Sequence, residues 1–217
     1  MQKIQVISQP SFPAVATADM VNYLRLYDNY ESTLIAQLVD AATDLFQAHT
    51  GMVLCNQTQI LRLDNWVIQN PLNYYQNLLQ PESNIIYIPR YPVSSIVSVQ
   101  YLDTTGTLQT LTGWEYDTVS TPARVILPQG TLPALYNTAG GCVQVTYNCG
   151  YSTAANIPNA ALVAVMLLAA HWYNNRAAYS ENEMTEIPQA FLALTKRFSL
   201  EMTNWNRSTL GVNRYGL

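Results

Sequence analysis

Very little in this sequence is equipped to make or break bonds. His49 and His171 are the two histidines of the 217-residue chain, one at the end of a helical face and the other inside the apolar run ALVAVMLLAAHWY. No Gly-x-Ser-x-Gly elbow supplies a serine nucleophile for either, so packing is the simpler account of both. No pair of Cys or His has metal-ligand spacing, and no acidic loop has the EF-hand pattern. Glu181, Glu183 and Glu186 cluster near Arg176 but read as a solvated acidic loop. Gly140-Gly141 leads into a strand instead of joining a strand to a helix, which makes it a turn and not a phosphate cradle. No catalytic, cofactor-binding or metal-binding residue is expected, and the chain reads as a non-enzyme.

The three cysteines leave an odd thiol in any pairing. Cys142 and Cys149 bracket CVQVTYNC, which alternates like a strand. Seven strand steps hold them about 23 Å apart on opposite faces, beyond disulfide reach. Reduced, buried thiols are expected.

Recognition is the chemistry that remains. Trp172 and Arg176 lie one helical turn apart, so the guanidinium can rest over the indole or pair with an acid. Tyr74 and Tyr75 sit in a long polar loop, WVIQNPLNYYQNLLQPES, that reads as a contact surface. The tail concentrates cations: Lys196, Arg197, Arg207 and Arg214 face Glu201 alone, with Trp205 and Tyr215 as aromatic company. Protein contact is the favoured use of that tail. The net charge of −4 gives no bulk attraction to nucleic acid. Only 11% of residues are charged, against roughly 25% in an average soluble protein. Asn, Gln, Ser, Thr and 15 Tyr carry the polar surface instead, a composition suited to surfaces that are covered by neighbours without desolvating charge.

The elements that must hold these residues follow from periodicity. Residues 1–13 read as an extended N-terminal arm interrupted by Pro10 and Pro13. Thr17 is placed to cap a short helix to about Leu26, with Asp19 in its first turn. Asp28 and Glu31 form a capping-box pattern for a second helix, whose Leu34, Ile35, Leu38, Ala42, Leu45, Phe46 and His49 share one face. Gly51 ends it. Over about residues 52–150 the period changes to two, and QTQILRL, NIIYIP, SIVSVQYLD, LQTLT, WEYDTV, ARVIL and CVQVTYNCG read as strands. DTTG is the hairpin turn between two of them.

Pro158 then opens a helix whose Leu162, Val163, Val165, Met166, Leu167, Leu168 and Trp172 cover almost the whole circumference, the mark of a central helix packed on several sides. Burying those seven side chains is worth roughly 10–20 kcal/mol gross. The run is too short to span a bilayer, and MQKIQVISQP lacks the apolar core of a signal peptide; no membrane association is expected. Ile187-Pro188 restarts a helix to about Phe198, and residues 199–217 read as a C-terminal arm. The fold class is therefore α+β: a small helical bundle from both ends of the chain (14–51 and 157–198), a β-rich insertion (52–156), and extended terminal arms.

In this order, PAVATADMVNYLRL, DNYESTLIAQLVDAATDLFQAHTG, IPRYPVSSIVSVQYLDTTGTLQTL, VQVTYNCGY, IPNAALVAVMLLAAHWYNNR and EIPQAFLAL resemble the head–tail connector (adaptor, or head-completion) proteins of tailed bacteriophages. The resemblance covers about residues 13–195. It rests on Thr50-Gly51, Pro89 and Pro92, Tyr101/Asp103/Gly106, Gly150-Tyr151 and Trp172/Tyr173/Arg176. The loop at 65–83 is longer than the family's pattern, and the tail after Phe198 lies outside it. The resemblance implies a structural virion protein of the neck, assembled in the host bacterial cytoplasm. It implies a homo-oligomeric ring, commonly of twelve copies, that binds the portal protein and receives the tail or the next completion protein. Packaged DNA would pass through the ring, and no cofactor is involved. Tyr74, Tyr75, Trp172, Arg176, Arg197, Trp205, Arg207, Arg214 and Tyr215 are the candidate subunit or portal contacts. The rival readings are another neck or tail-completion protein, and a phage-borne hydrolase or ligand-binding module built on the β region.

Overall fold

The structure, a computed structural model, describes residues 2–28, 30–66, 84–136, 140–175 and 188–199. They fall into two compact units, one built from the N-terminal strand with residues 57–150, the other from residues 10–56 and 151–199. These boundaries differ from those read in the sequence. Residues 2–6 are a sheet strand and not an arm, and residues 10–13, 52–56 and 151–156 go with the helices.

In the helical unit, α1 (Thr17–Tyr23), α2 (Ser32–Thr50), α3 (Asn159–Asn174) and α4 (Gln189–Lys196) pack as a small bundle. Both expected N-caps shift. Ala16, not Thr17, is the residue before α1, and Asp28 lies four residues ahead of the first residue of α2, preceded directly by Glu31. Neither cap makes a side-chain hydrogen bond. Glu31 is spent elsewhere: it accepts a hydrogen bond from the Tyr173 hydroxyl at the end of α3. Pro158 likewise sits just before α3 and not within its first turn. The C-terminal stop of α2 is as its sequence predicts. Gly51 adopts φ 77° and donates its N–H to Gln47 O, a left-handed geometry that a β-carbon disfavours.

The buried face of α2 is Ile35, Val39, Ala42, Phe46 and Thr50, rotated slightly from the one read in the sequence, because Thr50 satisfies its hydroxyl internally by donating to Phe46 O at 2.7 Å. Phe46 is fully buried against Phe191 of α4 (ring centroids 6.5 Å, edge-on) and Phe198 just beyond it (5.9 Å). Edge-on and tilted pairs of this kind add about 0.5–1.5 kcal/mol to the burial itself.

The β unit holds a five-stranded antiparallel sheet in the order β1 (Gln2–Val6), β2 (Gln57–Leu63), β8 (Val143–Cys149), β4 (Val93–Leu102), β5 (Leu108–Thr110). A three-stranded antiparallel sheet, β3 (Ile85–Tyr87), β7 (Arg124–Ile126), β6 (Glu115–Asp117), completes it. All seven strand segments legible in the sequence are present. In β4 the buried residues are Val93, Ile96 and Val99, spaced by three instead of two. Register shifts between Val93/Ser95 and Ile96/Ser98 explain this, since an extra residue in the ladder resets which face the next side chain takes. The chain leaves the helical unit after Asn56 and returns at Tyr151, and Cys55 and Tyr151 form a parallel bridge. The exit and the return are therefore side by side, which is what allows the β unit to be an insertion.

Cys55, Cys142 and Cys149 are free and buried. Burial, with the charge of Asp40 adding to it, pushes the Cys55 thiol up to about 11. Burial pushes Cys149 up to about 12, against the opposing pull of Arg90. A thiol raised in the folded state contributes stability that is complete below its unfolded value of about 8.5 and is lost as pH climbs from there toward 11–12. Stability measured by urea titration is thus expected to fall above about pH 8.5, and all three thiols are expected to stay unreactive to maleimide at pH 8 until the chain unfolds. Phe46→Ala is expected to cost about 3–5 kcal/mol, measured in the same titration.

Candidate assembly surface

α3 runs for 16 residues, NAALVAVMLLAAHWYN, without a charged side chain. Ala161, Ala164, Val165, Leu168 and Ala169 are buried. The sequence reading put the whole circumference in the core; the structure does not. Of the seven apolar residues expected inside, only Val165 and Leu168 are buried. Leu162, Met166, Leu167 and Trp172 are half-buried, and Val163 is 39% exposed. The reason is supply: among the described residues α2 and α4 are the main helices packed on α3, and the face they meet is the small, alanine-rich one, which lets helix axes approach closely. The larger side chains Leu162, Val163, Met166 and Leu167 form a stripe on the other side.

The connection from α1 to α2 carries a second unusual surface. Tyr23 is 42% exposed, Tyr27 106% and Tyr30 92%. Arg25, at φ 57°, takes the left-handed conformation and turns the chain out of α1. Scattered exposed apolar residues need no explanation, but projecting tyrosines resemble the anchors of protein interfaces.

On the β unit, the hairpin from β4 to β5 is organised by one carboxylate. Asp103 accepts from the backbone N–H of Thr105 (2.9 Å) and Thr107 (3.0 Å), from the Thr105 hydroxyl (2.5 Å) and from Gln109 Nε2 (3.0 Å). The hydrogen bonds from Thr105 and Gln109, then those from the backbone, hold its carboxyl down to about 2. Gly106, at φ 82°, closes the turn by donating to Asp103 O. Asp117 does the same work at the next loop: Ser120 by side chain and backbone, then Val119 N–H and Arg124, also hold it to about 2. These acids are saturated by local donors and fully ionised at neutral pH, which suits turn-building and not proton transfer. Aromatic residues line the same unit: Trp66 packs on Tyr101 (5.5 Å) and donates to Pro133 O (2.9 Å), and Trp114 stands 6.0 Å from Tyr116.

The remaining chemistry read in the sequence can be placed. His49 is exposed at the end of α2 with its ring 6.1 Å from Phe191. His171 is half-buried, and its carbonyl accepts from Asn175 Nδ2 at 2.8 Å. Among the described residues there is no group of three His, Cys, Asp or Glu placed to hold a metal, and no helix long and apolar enough to cross a membrane. Of the predicted contacts, Trp172 is half-buried in the last turn of α3, and Arg197 is exposed with its guanidinium 5.1 Å over the Phe198 ring. Tyr74, Tyr75, Arg176, Trp205, Arg207, Arg214 and Tyr215, like the acidic cluster Glu181, Glu183 and Glu186, lie outside the described residues. The sequence reading missed Tyr27 and Tyr30. The available signal was two tyrosines in a polar stretch between two helical patterns.

The arrangement is that of an α+β protein in which a helical unit is interrupted by an antiparallel β unit, and solved structures share it. A chain from the neck of an empty GTA particle, computed with C6 symmetry, matches with a TM-score of 0.71 at 20% identity, covering 91% of this chain and 95% of that one. A chain from the virion of a native gene transfer agent (GTA) particle gives 0.68 at 20% identity, with coverages of 90% and 94%. A chain from the neck of the native GTA particle, computed with C12 symmetry, gives 0.65 at 18% identity, covering 91% and 94%. No protein-family profile and no curated protein matches the sequence. The chain has the fold of those particle components along nearly its whole length.

Because the folded-state value of Asp103 is depressed, its contribution to the hairpin is present above the unfolded value of about 3.9 and is lost as pH falls through about 2. Protection of the Thr105 and Thr107 amides, taken against the intrinsic exchange rate at each pH, is expected to hold at pH 4 and to fall between pH 4 and 2. In Asp103→Ala the same amides are expected to lack that protection at every pH.

Proposed function

We propose that this chain is a structural head–tail connector (adaptor) protein of a tailed-phage-like particle. Copies form a ring in the neck, beneath the portal, that completes the DNA-filled head and presents the platform for the tail. The observation that carries the reading is the end-to-end match: 91% of this chain superposes on 95% of a neck chain with a TM-score of 0.71. The C6 and C12 symmetries of those necks support a cyclic assembly, with twelve copies as the natural number beneath a portal. Low charge and exposed tyrosines support surfaces that neighbours cover. The net charge of −4 suits a wall past which DNA slides without sticking. The basic tail, with Arg197, Trp205, Arg207, Arg214 and Tyr215, is assigned to the portal. Assembly takes place in the host bacterial cytoplasm and ends in the virion neck.

Deleting the gene is expected to give DNA-filled heads without tails, or heads that lose their DNA, in electron micrographs; complete infectious particles would overturn the proposal. Truncation after Phe198 is expected to abolish co-purification with the portal while the circular dichroism of the body is unchanged. Binding to a tail protein with no affinity for the portal would instead make this another completion protein of the neck or tail.

A further inference from the structure

The helical unit carries two exposed surfaces of different chemistry, and we infer that they are the two halves of one contact: the tyrosine loop of one copy seats on the outer α3 stripe of the next. The inference rests on the ring reading above and names the residues that close the ring. A cyclic assembly joins subunits head to tail, so one chain must carry two distinct patches that fit each other. The stripe of Leu162, Val163, Met166 and Leu167 is apolar, belongs to a helix without a charged side chain, and is covered only in part by its own copy. The loop offers Tyr27 and Tyr30, fully projecting, with Tyr23 partly exposed behind them. Tyrosine brings a large rigid ring at small entropic cost and a hydroxyl that stays satisfied at a wet rim, while methionine shapes itself to what it receives. The connection carries Arg25 against Asp28 and Glu31, and Glu31 already accepts a hydrogen bond from Tyr173 within its own copy, so Arg25 and Asp28 are the opposite charges left at the tyrosines.

The occupant is a second copy because the loop is not seated on the stripe of its own copy: Tyr27 and Tyr30 stand fully exposed. Glu31, immediately after the loop, is hydrogen-bonded to Tyr173 at the C-terminal end of α3. Val163 lies ten residues earlier on the same helix, about 15 Å along its axis. One bond therefore pins the loop at one end of α3 while the stripe lies toward the other.

The test uses Tyr27→Cys and Val163→Cys with a short bis-maleimide, on the purified chain and on assembled particles. The native thiols do not compete, because Cys55, Cys142 and Cys149 are only 3%, 1% and 0% exposed. The double variant is expected to give a ladder of linked chains, and each single variant to remain a monomer. Linkage of Val163→Cys alone into dimers would mean a two-fold contact and overturn the inference. So would particles whose necks contain rings of this chain but yield no ladder, an outcome that leaves the ring reading standing. Particles without any ring of this chain would overturn both. As a second readout, Tyr27→Ala, which removes a side chain free in solvent and so spares the fold, is expected to raise the concentration needed for assembly at least tenfold. An unchanged assembly midpoint would count against the loop.

Discussion

α3 is apolar on every side, while among the described residues α2 and α4 are the helices that pack on it. The face that α2 and α4 cover is the one with Ala161, Ala164 and Ala169, where small side chains let the helices approach and Phe46 and Phe191 fill the space. The larger side chains are left on the outside. Each square ångström of apolar surface held in water forgoes about 25 cal/mol, so a helix arranged this way is most stable when another surface completes it. The bundle, its tyrosine loop and its helix-capping compromises all follow from how this helix is held.

One of those compromises is instructive. The capping-box residue Glu31 forgoes the start of α2 and instead accepts a bond from Tyr173 on α3. A local helix-end interaction, usually worth about 1 kcal/mol, is exchanged for a tertiary one that fixes the loop relative to α3. The cap is weaker, and the loop with its projecting tyrosines is better placed.

The β unit uses its few charges in the same economical way. Asp103 and Asp117 each gather backbone and side-chain donors from their own turns, so the loops are shaped without exposing a reactive acid. The unit is a frame for hairpins and aromatic residues.

Elements that depend on local pattern were legible in the sequence. All seven strand segments, the Gly51 stop, the Asp103–Gly106 turn and the free thiols follow from period, turn residues and spacing alone. What depended on competition between neighbours was not legible. Asp28 and Glu31 satisfy every local requirement of a capping box, yet a hydroxyl 142 positions away takes the carboxylate. The edge role of residues 2–6 came from β2 offering them an open ladder. Above all, the sequence determined that α3 would be apolar all round, because composition alone does that. Which side faced its own chain, and which was left outward, only the tertiary structure decided, because burial depends on how many partners the rest of the chain can bring to a helix and not on the helix itself.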